Sequence, residues 1–290
     1  MYSRGMRPTK HIPLVALAVA LVVLGLAAPA RADDADIHYR LGLQHKKAGQ
    51  LDNAIKEFEQ AIKLRGDYAA AEFSLGLTYK MQNRLDAAIP HLERAAKLSP
   101  KAGDVQTSLG ITYFKLNRVD DAIRTLEGAI EINGTDVQAR SALGAIYRQR
   151  KEYQKAIPHL EQAVELDPKD ANSVQNLGVA YSQTGQYARA EKYFQQALGI
   201  QDSADTRFNL AVVYRREKKK REAIEELQRA VALKPSHAEA HHDLGLLLAE
   251  EKRNDEAVAE LRKYLELTGG KAGKDTDFVQ KRIRELGGGK

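Results

Sequence analysis

The sequence predicts an all-α protein, an α-solenoid of seven helix–turn–helix repeats followed by a C-terminal capping helix. Two observations predict it. A Leu-Gly pair recurs as Leu41-Gly42, Leu75-Gly76, Leu109-Gly110, Leu143-Gly144, Leu177-Gly178 and Leu244-Gly245, with Leu210-Ala211 as the one variant copy. The intervals are 34, 34, 34, 34, 33 and 34 residues, the length of two short helices and their turns. In addition, apolar residues return three or four apart with no strand-like alternation. Such repeats bury their apolar faces against one another and need no single central core.

The first 32 residues form a separate element. Arg4, Arg7 and Lys10 make a basic start, and a mostly apolar run extends from Ile12 to Ala28. Ala30-Arg31-Ala32 then gives a small-x-small site ahead of Asp33-Asp34. This layout predicts a secretory signal peptide over residues 1–32, cleaved after Ala32, and a periplasmic or secreted mature chain. The alternative is an anchor held in the membrane by an uncleaved N-terminal segment. The run is shorter than the roughly 20 apolar residues that a spanning helix needs, and the first repeat begins almost directly after it.

Without the leader, which carries four basic side chains and no acid, the net charge falls from +6 to +2. A near-balanced surface is not the footprint of a nucleic-acid binder. The absence of cysteine excludes disulfides, a thiolate nucleophile and cysteine metal sites.

Each repeat can be numbered so that its Leu is position 7 and its Gly position 8. Position 11 is then His45, Tyr79, Tyr113, Tyr147, Tyr181, Tyr214 and Leu248. Position 20 is Ala throughout, from Ala54 to Ala257. Position 24 is Phe58, Leu92, Leu126, Leu160, Phe194, Leu227 and Leu261, and position 27 is Ala from Ala61 to Ala230, then Tyr264. Positions 7 and 11 share one face of a first helix, and 20, 24 and 27 one face of a second. Small residues at 8 and 20 let the two helices approach closely. Ala at 27 admits the first helix of the next repeat. Gly or Pro at position 32, as in Gly66, Pro100, Gly134, Pro168, Pro235 and Gly269, ends the second helix.

This Leu-Gly, Tyr, Ala, Phe/Leu, Ala, Pro ladder resembles the tetratricopeptide repeat family. The resemblance covers Ala35 to about Gly269, in repeats starting near residues 35, 69, 103, 137, 171, 204 and 238. It implies a right-handed superhelix. Position 4, often Trp in that family, varies here from His38 to His241, and the first and last repeats lack the aromatic at position 11.

Four local details carry expectations. Pro90 and Pro158 both fall at position 22 of a second helix, where proline is tolerated in the first turn or at a kink. The fifth repeat is one residue short near Gln201-Asp202-Ser203, which predicts a tightened turn. Asn133-Gly134-Thr135 matches a glycan acceptor, but the expected role is a turn in which Gly134 supplies an unusual backbone angle. Residues 270–290 read as a hinge, a helix from Asp277 to Leu286 and a disordered Gly-rich tail. Val279, Ile283 and Leu286 form one apolar stripe that would cover the last repeat, and Asp277 with Gln280 resembles a capping box.

No catalytic constellation emerges, so no enzymatic activity and no cofactor are expected. His237 and His241 stand four apart, a spacing that can hold a metal on a helix. His237 falls at a repeat boundary, and solvated histidines are the expected reading.

The resemblance implies a ligand groove lined by positions 2, 5, 6, 9, 12 and 13 of the first helices. Toward the N-terminus these give Tyr39, Phe73, Leu77, Met81 and Phe114 beside Lys46, Lys80 and Lys115. An apolar patch rimmed by cations suits a peptide with hydrophobic anchors and acidic flanks. Further along come Arg148, Asn176, Phe208, Asn209, Arg215 and Arg216. Asn176 and Asn209 share position 6, and an amide both donates and accepts, as an extended peptide backbone requires. Arg215 and Arg216 are expected to recognise carboxylates. The function that follows is a non-catalytic exported scaffold for a protein or peptide segment. The alternative is a self-assembling or membrane-tethered component of a cell-envelope assembly or secretion complex.

Overall fold

The computed structural model describes residues 27–269 and 274–287, and every regular element among them is a helix. First and second helices alternate. They are α1 (Ala27–Lys47), α2 (Leu51–Leu64), α3 (Ala69–Met81), α4 (Leu85–Leu98), α5 (Gly103–Lys115), α6 (Val119–Ile132), α7 (Val137–Gln149) and α8 (Tyr153–Leu166), followed by α9 (Ala171–Gln183), α10 (Tyr187–Ile200), α11 (Ala204–Arg216), α12 (Lys220–Leu233), α13 (Ala238–Glu250), α14 (Asn254–Leu267) and α15 (Lys274–Glu285). The chain divides into two compact units, one ending at Thr112 and the other beginning at Tyr113. Within each, helices pack on their sequence neighbours, the arrangement of an α-solenoid. α1 continues without a break through Ala32, the expected cleavage point. Residues 270–273 of the expected hinge and 288–290 of the expected tail lie outside the described residues, as do residues 1–26 of the leader.

The turn inside each repeat is made at position 15, which has a positive φ in all seven: Gly49, Asn83, Asn117, Lys151, Gly185, Lys218 and Lys252. The next amide then reaches back to the carbonyl of position 11. Examples are Gln50 to His45 at 2.9 Å, Glu152 to Tyr147 at 2.8 Å and Lys219 to Tyr214 at 2.9 Å. This is the left-handed helix stop that satisfies otherwise orphaned carbonyls. Sequence reasoning missed it because only two of the seven residues are glycine.

The close approach of the paired helices is as expected. A β-carbon on Gly42 would meet Phe58 at 2.5 Å, one on Gly76 would meet Leu92 at 2.8 Å, and one on Gly178 would meet Phe194 at 2.8 Å. The alanines at positions 20 and 27 in the first six repeats are fully buried or nearly so. Across a repeat, the side chains at positions 4 and 23 pair where a carboxylate faces a histidine or an arginine. His38 meets Glu57 at 2.6 Å, Glu72 meets His91 at 2.7 Å, Arg207 meets Glu226 at 2.6 Å and His241 meets Glu260 at 2.5 Å.

Between repeats, Asp136, Asp170, Ser203 and His237 act as N-caps whose side chains accept backbone N–H groups. The shortened fifth repeat does tighten its turn: three residues, Gln201 to Ser203, join α10 to α11. Asp202 there chelates Arg207, at 2.6 Å from Nε and 2.9 Å from Nη2.

Several expectations need correction. Pro90 and Pro158 lie in the second turn of α4 and α8, on exposed positions, and not in the first turn. Each forgoes the bond to the carbonyl four residues back. Gly134 has no positive φ. That turn is set by Asn133, whose Oδ1 accepts from the Thr135 amide at 3.1 Å and hydroxyl at 2.9 Å. α15 begins at Lys274, so Asp277 lies inside the helix and makes no capping box. Its apolar stripe is as predicted: Val279 and Ile283 are buried against Val258 and Leu261, with Leu246, Tyr264, Leu265 and Leu286 around them.

Candidate functional site

Successive first helices touch directly, as between α1 and α3, α7 and α9, and α9 and α11. Within each unit, the first helices carry the residues singled out from the sequence, on what we call the A face. Two registers organise it.

The first register links position 12 of one repeat to position 6 of the next. Lys80 donates from Nζ to the Ser108 carbonyl at 3.1 Å. Arg215 Nη1 meets Asp243 Oδ2 at 2.9 Å. The corresponding partner of Arg148 is Asn176, yet Arg148 carries no hydrogen bond or ion pair to another described residue, and its Nε is buried without an acceptor. Lys46 also has no such partner, and burial pushes its ammonium below the usual lysine range.

The second register links position 5 to position 34. Tyr39 packs on Tyr68 with ring centroids 5.1 Å apart and on Phe58 at 5.9 Å. Phe208 packs on His237 at 4.9 Å. Ser141 reaches Asp170, which also holds Ser173. Position 5 is thus an inter-repeat packing position, and Tyr39 and Phe208 have part of their surface committed inside the protein. At position 2, Asp36 accepts from Tyr68 Oη at 2.7 Å and from Arg65 at 3.0 Å. Chiefly the Arg65 guanidinium, with Tyr68 assisting, holds the Asp36 carboxyl below its ordinary range.

In the first unit, Phe73 and Leu77 are half-buried, and Met81 is 56% exposed. Phe114 and Lys115 belong to the second unit, so the eight-residue N-terminal patch read from the sequence is divided between the two. In the second unit Asn176 and Asn209 are half-buried at the same height of touching helices, and neither side chain has a hydrogen bond to another described residue. Arg216 and Lys115 are exposed. Arg215 is already engaged by Asp243, a partner that the sequence reading did not assign to it. The constant offset between positions 12 and 6 would have identified it.

The histidine pair is not solvated as expected. His237 and His241 are buried, at 8% and 7% exposure. His237 caps α13 and packs on Phe208, while His241 bonds Glu260 and the Pro235 carbonyl. No group of three metal-ligating side chains occurs among the described residues. No described helix is long and apolar enough to cross a membrane.

The paired helices, the left-handed stop at position 15 and the glycine contacts at position 8 define an α-helical repeat protein. The tetratricopeptide repeat family models match residues 39–103, 79–146, 137–203, 171–236 and 208–272. The chain belongs to the tetratricopeptide repeat family. No curated protein matches it by sequence. Among solved structures it is similar to the MamA protein, with 26% identity, a TM-score of 0.54, and coverage of 59% of this chain and 93% of that one. It is also similar to YrrB, a TPR protein with an unusual peptide-binding site, at 23% identity and a TM-score of 0.52, covering 61% and 93%. PilF of Pseudomonas aeruginosa aligns at 16% identity and a TM-score of 0.62, covering 71% and 94%. The latter two likenesses speak to the fold alone.

Proposed function

We propose that this chain is a non-catalytic scaffold that holds a protein or peptide segment along the A face, in the groove that the family resemblance implies. One observation carries the reading. Asn176 and Asn209 are half-buried at equivalent positions on touching helices, with their amide hydrogen-bonding capacity unspent. Partly desolvated amides favour a partner that both donates and accepts, and an extended peptide backbone offers that alternation. The half-buried Phe73 and Leu77 beside the exposed Met81 add apolar anchoring in the first unit.

Selection of displayed peptides on the purified chain tests this. The Asn176→Ala/Asn209→Ala double variant should lose at least about tenfold in affinity for the selected peptides, as two lost hydrogen bonds predict. Phe73→Ala combined with Leu77→Ala should do the same for peptides that use the first unit. Undiminished capture by both double variants would move the ligand off this face.

The leader composition supports export with removal of residues 1–32. N-terminal sequencing of the protein recovered from cells tests that, since a chain beginning before Asp33 would point to the anchored alternative. Light scattering across concentrations separates ligand capture from self-assembly.

A further inference from the structure

We propose that Arg148 and Asn176 form a subsite that receives one carboxylate side chain of the bound segment, and that Arg215, at the same repeat position, does not. This rests on the reading of the A face as the ligand face.

Positions 12 and 6 of successive repeats stand in register. Lys80 spends its ammonium on the Ser108 carbonyl, and Arg215 spends its guanidinium on the Asp243 carboxylate. Arg148 has no such outlet. Its register mate is Asn176, and neither side chain bonds another described residue. The Arg148 Nε is shut away from solvent with no acceptor.

A guanidinium has five N–H donors and no acceptor, so the Arg148 Nε–H calls for an acceptor that no described side chain supplies. Buried donors left unpaired are rare in folded proteins. A carboxylate fits best, because its two oxygens can take two parallel N–H bonds from one guanidinium. The Asn176 amide offers a further donor at the adjoining position. At the boundary of the sixth and seventh repeats, Asp243 already supplies the carboxylate from within the chain. Of the two position-12 arginines, only the one at the boundary of the fourth and fifth repeats is therefore left for acid recognition.

The test uses the full chain and two pools of short fluorescein-labelled peptides, identical except that one carries Glu and the other Gln at the varied positions. The wild-type chain should retain the Glu pool at least about tenfold better than the Gln pool. Arg148→Gln should bring the two to the same level, and Arg148→Lys should keep part of the preference, since it retains charge without the fork. Asp243→Asn frees Arg215 and should strengthen retention of the Glu pool, an outcome that a loss of folding cannot mimic. Equal retention of both pools by the wild-type chain overturns the subsite and leaves the A-face reading standing. A Glu preference that survives Arg148→Gln also overturns it. Retention of neither pool overturns both.

Discussion

Gly144 and Leu160 are so close that a β-carbon on the glycine would lie 2.5 Å from Leu160 Cγ. The contact joins position 8 of α7 to position 24 of α8. The same relation recurs as Gly245 with Leu261 at 2.7 Å. It sets the distance between the helices of a repeat, and with it the placement of everything on the A face.

Gly144→Ala should therefore destabilise the chain. The gain in helix propensity is about 1 kcal/mol, while overpacking a filled core costs about 1–3 kcal/mol. A net loss is expected because Leu160 is fully buried and has little room to shift. Denaturant unfolding of the variant checks this, and an unchanged or higher midpoint would show that the helices simply move apart. Ala211 marks the one repeat where the chain already accommodates that methyl group.

The left-handed turn makes an opposite prediction. Lys151, Lys218 and Lys252 adopt φ values of 60°, 63° and 62°. A side chain in that region costs about 1–2 kcal/mol, which glycine avoids at some expense in unfolded-state entropy. Each Lys→Gly replacement should stabilise by about 0.5–1 kcal/mol. A rise in the thermal midpoint that accumulates over the three sites is the expected result.

His159 gives a pH dependence of definite sign. Burial, then the nearby Arg140, holds its imidazole below the usual 6.5, with Glu127 opposing. The ring stacks on Tyr147 with centroids 5.8 Å apart, and its Nδ1 is buried without a partner. A histidine whose folded pKa is depressed leaves the unfolded chain binding more protons. Its stability contribution is present above pH 6.5 and is lost as the pH falls below that value. The slope of stability between pH 7 and about 5 should flatten in His159→Leu, measured by denaturant unfolding at each pH. An identical slope in the variant would assign the acid sensitivity elsewhere.

Buried tyrosines behave in the mirror sense. Burial, then the hydrogen bond to Glu161, pushes Tyr181 up to about 12. The neutral phenol is the form that the fold holds, so its contribution persists below pH 10 and is lost as the pH rises toward 12. In a spectrophotometric titration Tyr181 should ionise late, and Tyr181→Phe should remove a late-titrating group. Loss of a tyrosine that ionises near 10 would contradict the burial account.

The fold was legible because it is written in residue size. Gly at 8, Ala at 20 and 27, and Leu or Phe at 24 state the packing within each repeat directly. The stop at position 15 was not legible, since Gly, Asn and Lys all serve there and the backbone angle leaves no single residue signature. The site was legible only in outline. Which residues line the groove is what the family resemblance implies. Which of them are already spent depends on contacts between repeats: Asp243 neutralises Arg215, and Tyr68 and His237 take up part of Tyr39 and Phe208. His237 was misread for the same reason, as its burial comes from the preceding repeat and not from its own helix.

In the proposed complex the first helices, and not the second, meet the ligand. Hydrogen–deuterium exchange of the full chain, with and without a saturating selected peptide, tests this most directly. Protection concentrated on first helices such as α3, α9 and α11, with α4, α10 and α12 unchanged, is the predicted result. Protection confined to the second helices, or to α15, would contradict it.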